Sequence, residues 1–133
     1  MAIKRNAQCS CGSGNKVKKC CGNIRQATFL NEDPLRLYQL ASEYANQGQV
    51  GIAEAAYRQA ISINPGFAEA CTNLGNLLTA SSRCEEALRF FNQAIAASPT
   101  LLQAWIGKAI ALHHTMQLDE AMQANRQALL ISN

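Results

Sequence analysis

Four of the six cysteines of this chain fall within the string Cys9-Ser10-Cys11-Gly12-Ser13-Gly14-Asn15-Lys16-Val17-Lys18-Lys19-Cys20-Cys21-Gly22. They form two pairs with eight residues between them. Val17 is the main large apolar side chain of the string, so it cannot build a core of its own and something else must hold it. The candidate chemistries are a disulfide framework, a redox or iron–sulfur site, free thiols in a tail, and a metal site. No apolar secretory stretch follows the basic start MAIKRNAQCS, so a reducing compartment is expected and disulfides are disfavoured. Tetrahedral Zn²⁺ accepts four thiolates and can fold a segment that lacks a core, which makes zinc the favoured reading. Gly12 and Gly14 permit the tight turn such a site needs. Lys16, Lys18 and Lys19 offset the excess negative charge of four thiolates on a divalent ion.

The string resembles the SEC-C motif, known from the C-terminus of the protein-translocation ATPase SecA and from assorted bacterial proteins. That motif runs Cys-x-Cys, Gly-Ser-Gly, a Lys-rich stretch, then Cys-His or Cys-Cys. Arg5, Asn6, Cys9, Cys11, Gly12, Ser13, Gly14, Lys16, Lys18, Cys20, Cys21 and Gly22 fall on it. Ser10 stands where the family usually has Pro, and Val17 where it usually has Tyr. The resemblance implies Cys9, Cys11, Cys20 and Cys21 as zinc ligands and Zn²⁺ as the cofactor.

The rest of the chain must supply the scaffold. Hydrophobic residues make up 48% of the 133 and charged residues 16%, which fits a globular chain and excludes a disordered one. No apolar run is long enough to span a bilayer, and a soluble, cytoplasmic protein is expected. Net charge divides the chain in two. Residues 1–25 hold Lys4, Arg5, Lys16, Lys18, Lys19 and Arg25 and no acid, whereas residues 26–133 hold the other six bases and all nine acids.

From Pro34 onward the sequence repeats with a step of 34. Pro65 and Pro99 are one step apart, Leu37 aligns with Cys71 and Trp105, Ala41 with Gly75 and Ala109, and Tyr44 with Leu78 and Leu112. Ala53 aligns with Ala87 and Ala121, Tyr57 with Phe91 and Asn125, Ala60 with Ala94 and Ala128, and Ile61 with Ile95 and Leu129. Alternating large and small columns suit close-packed helix pairs. Asp33-Pro34 and Ser98-Pro99 read as N-caps followed by a first-turn Pro, and Ser82-Arg83-Cys84-Glu85 as a capping box. Gln47-Gly48-Gln49 breaks the first unit between its helices.

The period, the columns and the closing Pro resemble the tetratricopeptide repeat (TPR). The expected architecture is an all-α, helix-turn-helix solenoid of three repeats with a small N-terminal zinc-binding module. Its parts are residues 1–24 (zinc module), 25–33 (linker) and 34–133 (repeats 34–67, 68–101 and 102–133). Lys108 and Asn125 break otherwise apolar columns, so the third repeat is the least regular. In the TPR family the first helix of each unit lines a groove that binds peptides. The resemblance places Tyr38, Gln39 and Ser42 there from the first unit, and Glu69, Thr72, Asn73, Asn76 and Thr79 from the second. Gln103, Ile106, Gly107, Ile110 and His113 come from the third. Tyr38, Asn73, Asn76, Gln103, Ile106 and Ile110 are the expected peptide-binding residues. Asn73 falls where many TPR proteins keep a backbone-binding Asn, and Asn73 and Asn76, three apart on one helix, can point together. A solvated helix face is the plainer reading of both. The cationic positions with which co-chaperone TPRs hold a terminal carboxylate carry Tyr38, Gln103 and Gly107, so a neutral or partly apolar peptide is expected.

Other reactive residues have simpler explanations. Cys71 shares a core column, Cys84 has no His or Asp companion, Trp105 reads as core, and His113 and His114 diverge by about 100° on a helix. No phosphate loop, nucleophile elbow or zinc-protease string occurs, so the chain reads as no enzyme. The function expected is a protein–protein interaction adaptor, with the groove binding a peptide and the zinc module giving a second, basic surface for an acidic protein face. The alternative is the N-terminal interaction region of a larger enzyme, such as a TPR-linked sulfotransferase or glycosyltransferase. Nucleic acid ranks low as a partner, because no aromatic is interleaved among the basic residues. The consecutive Leu129, Leu130 and Ile131 cannot share one inward face, so self-association through the last helix is expected.

Overall fold

Asp33 is extended and Pro34 follows it at the first helical position, where a missing N–H costs nothing, and there the first helix begins. The computed structural model describes residues 33–133, which form six helices. They are α1 (Pro34–Asn46), α2 (Val50–Ile63), α3 (Ala68–Ala80), α4 (Cys84–Ala97), α5 (Leu102–His114) and α6 (Leu118–Ser132). Among the described residues there is no strand. The cysteine string and the positions before Asp33, including Cys9, Cys11, Cys20 and Cys21, lie outside the described residues.

The helices pack in consecutive pairs, α1 with α2, α3 with α4 and α5 with α6. Each pair then meets the next through α2 on α3 and α4 on α5. The first helices α3 and α5 also pack on each other, more closely than the second helices α2 and α4 do. The buried residues follow the 34-residue columns. Leu37 and Cys71 are fully buried; so are Ala41, Ala53, Ala60, Ala87 and Ala94. Small side chains at these points let backbones approach closely while Leu74, Leu78, Phe91 and Leu112 fill the space between.

Phe91 is the centre of the second junction. A Cβ placed on Gly75 of α3 would lie 2.7 Å from its ring, and one on Gly107 of α5 only 2.3 Å from it. Three helices thus converge on one ring because two of them carry glycine there. A cluster of ion pairs joins the first unit to the second. Arg58 of α2 binds Glu54 at 2.8 Å and also Glu86 of α4, and Arg83 binds Glu54 at 2.9 Å and Glu86 at 2.6 Å. Hydrogen bonding from Arg58, with a smaller contribution from Arg83, holds the Glu86 carboxyl below the usual carboxylate range.

Two helix-start expectations are corrected. Ser82 does not cap α4: it adopts a left-handed conformation (φ 63°), Arg83 takes the N-cap position, and no side chain caps the helix. Ser98-Pro99 ends α4 rather than opening α5. Ser98 is the C-cap of α4, its backbone (φ −142°, ψ 87°) outside the helical region that a following Pro disfavours, and α5 begins only after Leu101. The left-handed residue itself recurs with the period, at Gly48 (φ 75°), Ser82 and Met116 (φ 62°). A turn between paired helices demands that conformation, and only the first unit meets it with glycine.

Candidate functional site

The residues expected to line the groove stand on α1, α3 and α5, and a small network of hydroxyls and one amide organises them at the first junction. Tyr57 of α2 is buried, and its hydroxyl needs partners there. Ser42 of α1 lies 3.0 Å from it, and Asn73 Nδ2 of α3 donates to it at 3.5 Å. The same amide nitrogen donates to the Tyr38 hydroxyl at 3.1 Å. Tyr38 is held in turn by ring contacts with Phe67 and Tyr57, at centroid distances of 5.1 and 6.1 Å. Both amide hydrogens of Asn73 are therefore turned toward tyrosines, which leaves its Oδ1 as the polar atom available to an incoming N–H.

The second junction is the same site with the polar groups deleted. One period on, Phe91 replaces Tyr57 and Gly107 replaces Asn73. A ring without a hydroxyl needs no amide opposite, and Gly107 is buried against it. The expected groove list changes accordingly. Gly107 forms the seat of Phe91 and does not line the groove. Thr72 is also buried, its hydroxyl bonded at 2.8 Å to the Ala68 carbonyl within its own helix. Asn73 and Asn76 do not act alike: Asn73 is half-buried in the tyrosine network, and Asn76 is exposed. Gln103, Ile106 and Ile110 of α5 are exposed, the two isoleucines at 36% and 48%. One end of the candidate surface is thus polar (Tyr38, Asn73, Asn76) and the other apolar (Ile106, Ile110), and no Lys or Arg stands at any of the expected groove positions.

Sequence reasoning placed Tyr57 in the core and missed its hydroxyl, along with the role of Ser42. The signal was present: a Tyr-for-Phe exchange in one column coincides with an Asn-for-Gly exchange in another. Cys71 is buried as expected, and burial pushes its thiol up to about 11. Trp105 is half-buried rather than fully so; its Nε1 donates to the Pro99 carbonyl at 2.8 Å and Lys108 lies over its ring. An open recess of about 720 Å³ lies near Arg83, Cys84, Arg89 and His114, and of the expected groove residues Thr79 lines it. Its Arg83 and Glu86 are already paired with each other. Among the described residues no cluster of His, Cys, Asp and Glu could hold a metal ion, and no helix is long and apolar enough to cross a membrane.

The stacked helix pairs and the face of first helices define a TPR-like, all-helical solenoid. Residues 38–101 match the tetratricopeptide-repeat family model. Among solved structures, MamA matches with a TM-score of 0.75 at 20% identity, over 84% of this chain and 66% of that one. The first TPR of Spaghetti (RPAP3), solved with the HSP90 peptide SRMEEVD, matches with a TM-score of 0.73 at 20% identity, over 75% of this chain and 79% of that one. Its second TPR, with the same peptide, matches with a TM-score of 0.73 at 18% identity, over 83% and 98%. The uncharacterized protein YccF of Bacillus subtilis (strain 168) is 32% identical over 143 aligned residues, which cover 97% of this chain. That coverage takes in both the cysteine string and the repeats. The chain spans 36% of the length of this curated relative.

Proposed function

We propose that the chain is a non-enzymatic adaptor whose first helices bind a peptide segment of a partner protein. The observation that carries this reading is the Asn73 amide, fixed by two tyrosine hydroxyls with its oxygen left over, at the head of an exposed face that ends in Ile106 and Ile110. An oriented amide can hold a peptide backbone without reading its sequence, and the isoleucines offer purchase to an apolar side chain. Both solved RPAP3 repeats hold an acidic-ended peptide. Here the cations for such an end are missing, and Gly107 has no room for one, because even a Cβ would strike Phe91. The peptide is accordingly a neutral or partly apolar segment rather than a terminal carboxylate.

The cysteine string is proposed as a zinc module, with Cys9, Cys11, Cys20 and Cys21 as ligands and its lysines and arginines forming a second, basic docking surface. Screening over about 10 Å at 0.1 M salt makes binding at that surface strongly salt-dependent, whereas binding on amides and isoleucines is not. The curated relative is longer than this chain, but its length does not by itself favour the reading as a front region of a larger enzyme. The test is a peptide selected by display on the full chain, titrated against wild type, Asn73→Ala and Ile110→Glu. A loss of about tenfold or more in each variant supports the groove, since one lost hydrogen bond or apolar anchor is worth about 1 kcal/mol or more. Equal affinities for all three proteins would remove it.

A further inference from the structure

The repeat columns leave one face uncovered. Ile61 of α2 is only 7% exposed, yet Leu129, two periods on in α6, is 64% exposed. Phe91 is fully buried, while Asn125 in its column is exposed and borders a hollow of about 210 Å³ lined by Ala109, Ile110 and His113. Leu88 packs among α5 and α6, while Met122 in its column is 62% exposed. This face of α6 thus continues the surface by which α2 receives α3 and α4 receives α5. No described residue occupies it.

We propose that a second copy of this chain occupies it, with α6 packed antiparallel on α6. The exposed stripe is Leu118, Met122, Asn125 and Leu129, with steps of four, three and four residues. That is a coiled-coil seam, and its spacing reads the same in both directions. Antiparallel pairing therefore sets Leu118 against Leu129 of the second copy, and Met122 against Asn125 of the second copy. The flexible Met122 side chain then enters the hollow that the missing ring leaves. Charge agrees with this direction. Asp119 in the first turn of α6 and Arg126 in its second half flank the stripe on the same side, so antiparallel copies bring each Asp119 toward the other's Arg126. The helix dipoles also oppose favourably in this arrangement. The inference does not depend on the identity of the peptide, although Ile110 and His113 belong both to the hollow and to the expected groove.

Sedimentation of the full chain in reductant, across the micromolar range, tests it. Wild type should be a concentration-dependent dimer. Met122→Lys and Leu129→Lys should each weaken it at least tenfold, while Leu130→Lys, exposed but off the stripe, should leave it unchanged. Arg126→Glu should weaken it, and adding Asp119→Arg should restore it. Helical melting curves identify any variant that fails to fold, and Met122→Gln then takes its place. A strictly monomeric wild type, or a dimer indifferent to both Met122→Lys and Leu129→Lys, overturns the proposal.

Discussion

At Gly107 one methyl group decides the sign of a substitution. An exposed helical Gly→Ala exchange stabilises by about 1 kcal/mol, through backbone entropy and propensity. Here the added Cβ would stand 2.3 Å from a fully buried phenylalanine ring that cannot swing aside. Overpacking of this kind costs about 1–3 kcal/mol and outweighs the gain. Gly107→Ala should therefore lower stability in chemical denaturation, and Phe91→Leu in the same chain should return part of the loss. Met116 presents the converse case. Its left-handed backbone costs about 1 kcal/mol for a side chain that is mostly exposed, so Met116→Gly should raise the denaturation midpoint. An unchanged or lower midpoint would show that Met116 packs usefully where it stands.

At the scale of elements, the sequence period was enough to place helix pairs, because large and small columns are the direct imprint of close packing. It was less informative about where helices start. Ser82 has the side chain of a cap but occupies the position where the chain must turn left-handed, and the turn prevails. Pro99 has the stiffness of a first-turn residue but follows a helix that needs ending. Tyr38 and Asn73 were legible as residues of first helices, while their partnership with Tyr57 and Ser42 was not, since it spans three helices whose packing no local pattern encodes. The ion pairs between α2 and α4 were invisible for the same reason. They give a pH signature. Glu86 is held ionised in the fold, so its contribution is fully present above the usual carboxylate range and fades as pH falls through its lowered folded value. The stability advantage of wild type over Glu86→Gln should therefore be constant near neutrality and shrink on acidification, read from denaturation midpoints along a pH series. High salt should shrink it as well. A gap that widened in acid would contradict this.

At the scale of the molecule, two unlike pieces are joined, a basic cysteine-rich segment and a repeat scaffold that packs on its own core. The zinc reading came from residue chemistry and a motif, and the repeats from periodicity. Neither depends on the other, so their failures should be separable. Purified chain should carry about one zinc per molecule, and Cys20→Ser should lose most of it, because metal binding contributes on the order of 10 kcal/mol to folding such a segment. The helical circular dichroism of residues 34–133 should survive that loss. Iron in place of zinc, or no metal after zinc-replete expression, would remove the ligand assignment.

The central claim is that the layer of first helices receives the partner, and an amide-resolved NMR titration of the full chain with a display-selected peptide tests it most directly. Saturable shifts are expected at Tyr38, Asn73, Asn76, Gln103, Ile106 and Ile110, with little change at Gln59 of α2 or Arg89 of α4. Shifts centred on α2 and α4, with the first helices unmoved, would contradict it.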